Sequence, residues 1–336
     1  MAPTGLTWLL LIVFAFAVAF DYINGFHDTA NAIATSVSTR ALRHDHAILM
    51  SAAANFLGAL TGTAVAKTIS TGIATTPDGS AGQIIVAAAL VGAITWNLIT
   101  WRLGIPSSSS HALIGGLIGS VIAASGTSAL KVSGIIGKVL VPLVASPIIG
   151  VTVGFLLMVV LLNVFRKMHP RKLNDRFRRL QIVSAAFMAF SHGSNDAQKT
   201  MGIMTLALIS AGILPHDAKI PLWVILLAAS AISLGTAGGG WRIIKTMGQR
   251  VVKLDPVHGF AAETTAATVI LTASSLGMPV STTHVISSAI MGVGASDRLS
   301  AVRWGVAGNI ITAWILTIPA SGAVAWVAWE VLSRVL

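Results

Sequence analysis

Two kinds of short stretch hold most of the groups in this chain that could bind or move an ion. The first is FDYINGFHDTANAIATSVSTR, Phe20 to Arg40. Asp21, Asn24, Asp28, Asn31 and Thr35 recur there at steps of three and four, so a helix lines them along one face, with His27 beside Asp28. A later stretch, SHGSNDAQKTMG (Ser191 to Gly202), does the same with His192, Asp196 and Lys199. Carboxylates and side-chain amides in such rows suit a cation or a polar substrate.

The second kind is GIPSSSSH (Gly104 to His111) and GMPVSTTH (Gly277 to His284). Proline is favoured in the first turn of a helix, where its missing N–H costs nothing. The hydroxyls of Ser107, Ser108, Ser109 and Ser110, and of Ser281, Thr282 and Thr283, are then expected beside free backbone N–H groups at a helix start. Hydroxyls, unpaired amides and the positive end of a helix dipole make an anion site. His111 and His284 are read two ways, as interface hydrogen-bonding groups or as contacts to the anion or a proton.

These groups lie in a very apolar chain. Of 336 residues, 54% are hydrophobic and only 10% charged, with mean hydropathy +0.82; soluble domains are about 25% charged. The apolar runs are long and do not alternate, which favours membrane helices over a barrel. No Lys or Arg precedes the first run, so it is not read as a cleaved signal peptide. With no cysteine there is no thiolate metal site or thiol nucleophile. The net charge of +11 is assigned to loop bias, with no nucleic-acid partner.

The expected fold is an all-α polytopic membrane protein. Apolar segments are read near 6–39, 47–66, 83–101, 105–124 and 134–165, and again near 181–210, 220–240, 256–276, 279–295 and 301–332. That gives an N-terminal membrane repeat (1–165), a basic linker (166–180) and a C-terminal repeat (181–336). About five segments per half put the halves in opposite orientations. With the linker cytoplasmic, only Lys67, Lys131, Lys138, Lys219 and Arg334 fall on the outside, as the positive-inside rule requires. Both termini are then extracytoplasmic, in a multi-pass protein of the plasma membrane.

GFHDTAN (Gly25–Asn31) aligns with GSNDAQK (Gly193–Lys199), and the two Pro-Ser-His motifs align in the same order. KTIS (Lys67–Ser70) matches KTMG (Lys245–Gly248) more weakly. Inverted repeats with polar interruptions mark secondary transporters. A helix from Leu6 to Thr39 would be roughly 50 Å long against a core of about 30 Å, so strong tilt or a break is needed, with Gly25 and Gly193 the natural break points and broken or re-entrant helices expected to meet at a central site. Asp28, Asp196, Lys199 and Glu263 would each cost about 2.5–3.5 kcal/mol at the bilayer centre. Together that is on the order of 10 kcal/mol, comparable with a whole domain's stability. The residues point to cation-coupled oxyanion uptake. Phosphate, unlike sulfate at neutral pH, carries a proton to donate to a carboxylate such as Asp28 or Asp196.

GFHDTANAIATSVSTRAL, GIPSSSSHALIGG, SHGSNDAQKTMG and GMPVSTTH resemble the signature segments of the inorganic phosphate transporter (PiT) family, of the compact bacterial type. The resemblance covers nearly the whole chain. It implies a low-affinity phosphate symporter driven by protons or sodium, without a cofactor, built as two inverted repeats and assembled as a homodimer. The family's phosphate and cation sites map here to Asp28, Asn31, Asn195, Asp196, Ser107 to Ser110 and Ser281 to Thr283, the Asn-Asp positions being the places for sodium. Glu263, in GFAAETTAAT, matches a family glutamate and is grouped with the coupling residues. The chain departs from the family pattern twice. His27 stands where many members have Asn, and Lys199 where sodium-coupled members usually have Asn. A lysine ammonium can take the place of a monovalent cation, so Lys199 joins the expected phosphate site and proton coupling is favoured, with His27 next to Asp28 able to share in proton movement.

Other readings fit less well. In SSSSH the neighbouring Ser and His point apart on a helix, and no His-Glu-x-x-His motif is present, which argues against an enzyme. A passive anion channel would be lined by basic rings. A symporter of another oxyanion, sulfate above all, is the nearest alternative.

Overall fold

The computed structural model describes residues 8–335, so Leu6, where the first apolar segment was expected to begin, lies outside the described residues. The regular elements described are all helical. Helix α1 (Trp8–Ser38) is followed by a bent pair, α2 (His44–Ala59) and α3 (Ala64–Thr71), then by α4 (Ser80–Leu103) and α5 (Ser109–Ser125). Next, α6 (Val132–Ile135) passes through a π-helical turn, Ile136–Leu140, into α7 (Val141–Val164). The order then recurs. Helix α8 (Pro170–Ser210) precedes the bent pair α9 (Leu222–Gly238) and α10 (Trp241–Lys245), followed by α11 (Pro256–Ser275), α12 (Thr282–Asp297) and α13 (Trp304–Val335).

Helices α1, α4 and α13 and the run 132–164 are each long and apolar enough to cross a membrane, and the two bent pairs qualify when each is counted as one span. The bends are 70° and 63°. The segment expected over 47–66 is therefore broken at 60–63. The one over 220–240 turns at Gly239 and Gly240 and continues as helix. Lys67–Ser70 lies in α3, and Lys245–Gly248 runs from the end of α10 into the π-helical turn Thr246–Arg250, so the weakly matched tetrapeptides occupy the same arm of the two pairs. Most of the basic stretch Arg166–Leu180 is helical, because α8 starts at Pro170.

The expected breaks at Gly25 and Gly193 do not occur; α1 and α8 are continuous through both. The glycines serve close packing instead. A Cβ on Gly25 would stand 2.2 Å from the carbonyl oxygen of Ile232 in α9, and one on Gly235 of α9 would stand 2.0 Å from that of Tyr22 in α1. At the corresponding crossing, a Cβ on Gly193 would lie 2.1 Å from Asn55 O in α2, and one on Gly58 of α2 would lie 2.0 Å from Phe190 O in α8. Small residues let membrane helices approach to backbone contact. With neighbours this close, the polar faces of α1 and α8 are sheltered by protein and need no unwinding.

Packing is paired across the halves. Helix α1 packs on α9 and α8 on α2, while α5 packs on α13 and α12 on α7. The buried apolar side chains form two clusters. One takes residues 10–20 of α1 and 197–208 of α8; the other takes 30–34 of α1 and 177–189 of α8. The two helices therefore run in opposite directions, and their polar stretches lie between the clusters.

Candidate functional site

Each Pro-Ser-His motif ends a chain reversal and opens a helix. Gly104 and Gly277 take left-handed backbone (φ 66° and 68°) at the ends of α4 and α11. Pro106 and Pro279 precede the helices at the centre of tight turns, in which Ser107 N donates to Ile105 O and Val280 N to Met278 O, both at 2.9 Å, rather than standing in the first turn as expected. The N-caps are Ser108 and Ser281. The Ser108 hydroxyl accepts from His111 N at 3.1 Å, and that of Ser281 accepts from His284 N at 3.2 Å. The following turns, with Ser109 and Ser110 on one side and Thr282 and Thr283 on the other, are buried and come together, since the rings of His111 and His284 lie 4.7 Å apart.

Helices α1 and α8 bring their polar faces to these turns. Asn31 donates to Thr283 Oγ1 at 2.9 Å and to Thr282 Oγ1 at 3.3 Å. The Thr282 hydroxyl donates to Asp196 Oδ2 at 3.2 Å. The Lys199 ammonium donates to Asp196, to the Ser110 hydroxyl, and to Val280 O at 2.9 Å. A carboxylate, a hydroxyl and a carbonyl thus surround this lysine, which is 1% exposed. Asp28 faces the same centre. Its Oδ1 lies 2.6 Å from His27 Nδ1, and the ligand atoms of Asp28, His192 and Asp196 all fall within 4.8 Å of one another. Two carboxylates and an imidazole so close are a donor set for a cation or a shared proton.

Other expected residues stand further out. Asn195 donates to Ser274 Oγ at 2.7 Å and Met278 O at 3.3 Å, bracing α8 against the end of α11. His27 makes the matching brace through Nε2, 3.1 Å from Thr100 Oγ1 of α4, and Ser107 donates to the same Thr100 oxygen at 2.8 Å. Glu263 lies outside the central group. Its carboxylate accepts from Thr35 at 2.5 Å, from Gln181 at 3.1 Å and from Ser184, linking α11 to α1 and α8. The histidines of the two Pro-Ser-His motifs face each other, and His284 stacks on Trp314 at 4.0 Å. Thr100, Gln181 and Ser184 carry no motif that would have singled them out. Asn55, which receives His192 Nδ1 at 3.0 Å and donates to Thr236, is equally silent in sequence.

The site therefore offers hydroxyls and helix N-termini to an oxyanion and carboxylates to a cation, between two antiparallel helices. The sequence model of a family described as "Phosphate transporter family" matches residues 24–325. The chain belongs to this family. Among relatives in the phosphate transporter family, one from Bacillus subtilis (strain 168), named "Probable low-affinity inorganic phosphate transporter", is 49% identical over 97% of this chain and 98% of its own. A protein of the same name from Rhizobium meliloti (strain 1021) is 48% identical, covering 94% of each chain. A solved structure of a protein described as "The sodium-dependent phosphate transporter" superposes with a TM-score of 0.90 at 27% identity, over 98% of this chain and 100% of that one. Membership and the apolar helices make the chain an integral membrane protein of a transporter family, not an enzyme.

Proposed function

We propose that this protein is a secondary active symporter that takes up inorganic phosphate by alternating access, with protons favoured as the coupling ion. It works as two inverted-topology repeats in the plasma membrane, with both termini extracytoplasmic and as a homodimer. Phosphate binds between the first turns of α5 and α12, where Ser109, Ser110, Thr282 and Thr283 present hydroxyls and backbone N–H groups. Asp28 and Asp196 accept the phosphate proton or hold the coupling ion, and alternate exposure of this fixed centre moves both across.

The observation that carries the proton assignment is the seat of Lys199. Its ammonium takes three acceptors, one carboxylate, one hydroxyl and one carbonyl, as a bound monovalent cation would. A covalently held charge there leaves one site fewer for sodium. Sodium coupling is the second reading. It is favoured by the convergence of Asp28, His192 and Asp196 and by the sodium dependence of the solved relative.

The test is labelled phosphate uptake into proteoliposomes under separate inward proton and sodium gradients, with excess sulfate as competitor. The expected result is proton-driven uptake that sulfate leaves unchanged. Uptake driven only by sodium moves the assignment to the second reading. Sulfate uptake without phosphate uptake sinks the choice of anion.

A further inference from the structure

Asp21 is the most anomalous charged group in the fold. It lies two helical turns before Asp28, about 10 Å toward the start of α1, and is fully buried. Neither carboxylate oxygen has a hydrogen-bond partner. A carboxylate with no donor, inside a membrane helix, is among the costliest arrangements a protein can hold. Its polar neighbours are Asn24, one turn along α1, and Thr200 across on α8. These too have spare capacity, because Asn24 Oδ1 and Thr200 Oγ1 are buried and unpartnered. The Asp21 carboxyl, the Asn24 amide and the Thr200 hydroxyl thus form a small buried polar group with no fixed hydrogen bond from Asp21.

One added proton settles this group. A neutral carboxyl group removes the uncompensated charge, and its carbonyl oxygen can still accept from the Thr200 hydroxyl or the Asn24 amide. Without the proton, the carboxylate has the Thr200 hydroxyl and the Asn24 amide N–H as nearby donors but no cation. The charged groups acting on Asp21 are Asp196 and Lys199 of α8. Helix α9, packed along this part of α1, has no charged residue, and α4 has only Arg102, at its far end. Asp196 and Lys199 are paired with each other, so Asp21 is left without a counter-ion.

We infer that Asp21, with Asn24 and Thr200, is a proton-binding site distinct from the Asp28–Asp196 centre, and that it carries the coupling proton between the extracytoplasmic side and that centre. The step is a reversible protonation of one carboxylate, with no other bond made or broken. Its position two turns before Asp28 puts it on the route from the side where α1 begins. The inference rests on the proton-coupled phosphate reading above.

The experiment compares the parent protein with Asp21→Asn in proteoliposomes, by two measurements. One is exchange of labelled for unlabelled phosphate without ion gradients; the other is accumulation driven by an inward proton gradient. Asn mimics the protonated carboxyl, so exchange is expected within about twofold of the parent, while proton-driven accumulation falls to the equilibration level. Accumulation by Asp21→Asn equal to the parent's overturns the inference and leaves the phosphate reading intact. A parent that exchanges no phosphate sinks the reading on which the inference rests. Should Asp21→Asn fail to fold, Thr200→Val gives the decision. It removes a hydroxyl that can donate to the charged carboxylate. The pH midpoint of proton-driven uptake is then expected to rise by about one unit. An unmoved midpoint overturns the assignment.

Discussion

The two halves of the molecule place different chemistry on one framework. In the first half the Asp motif ends in Asn31, which donates to Thr283 on α12; in the second it ends in Lys199, which donates to Ser110 on α5. Thr283 and Ser110 occupy the same position of the aligned Pro-Ser-His motifs, so the contact is repeated while the donor changes from an amide to an ammonium. The histidines differ as well. His27 adjoins Asp28 in sequence, whereas His192 comes one turn before Asp196 and approaches it at 3.2 Å. Asp196 therefore has a fixed counter-charge and Asp28 does not. A recurring order of helices can thus carry uneven electrostatics, with Asp196 paired to an ammonium and an imidazole and Asp28 to an imidazole alone.

The comparison can be broken most forcefully at the Asp196–Lys199 pair. Asp196→Asn strands a buried ammonium, and removing one partner of such a pair costs about 3–5 kcal/mol. Asp28→Asn strands none. Thermal unfolding in detergent is expected to show a large loss for Asp196→Asn and a clearly smaller one for Asp28→Asn; equal losses would mean that Asp28 is compensated too. Next comes the network around Glu263, which has no counterpart in the first half, where the aligned residue is Leu90. Glu263→Ala leaves the donors on Thr35, Gln181 and Ser184 without their shared acceptor, at about 1–3 kcal/mol, whereas Leu90→Val is expected to cost about 1 kcal/mol. The same unfolding measurement checks both.

Lys199→Asn makes the second half copy the first. Phosphate uptake by this variant is expected to gain dependence on sodium relative to the parent, measured as the ratio of rates with and without the ion. An unchanged ratio removes the argument that the ammonium stands in for a cation. The smallest effects are expected at the two caps. Ser108→Ala and Ser281→Ala each remove one cap hydrogen bond, worth about 1 kcal/mol. The halves should lose equally, and unequal losses would show that one cap also serves another role.

Much of this was legible in the sequence, because the signals were local. The paired motifs, their common order and the hydroxyl-rich helix starts follow from residue type and spacing, and the capping serines fall inside the expected runs. The continuity of α1 and α8 was not legible. Glycine permits both unwound backbone and close helix approach, and only the carbonyls of Ile232 and Asn55, far away in the chain, decide between them. The bends after α2 and α9 fall at Thr61–Gly62–Thr63 and Gly238–Gly239–Gly240, but glycine is also common inside membrane helices, so these residues do not by themselves mark a bend. Glu263 could be flagged as costly, yet its partners come from α1 and α8, and no spacing within α11 names them. Asp21 and Asn24 were placed on the right face, but their lack of partners is a property of the packed structure alone.

The reciprocal glycine crossings also bear on how the protein is made. Helix α1 finds a close neighbour in α9, and α2 finds one in α8, so these close contacts of the first half await the second. During synthesis the face holding Asp21, Asn24 and Asp28 enters the bilayer well before Asp196, Lys199 and α9 exist to cover it. A nascent chain halted after α7 would be an unfinished object with a polar seam open to lipid, a natural target for insertion chaperones and membrane quality control.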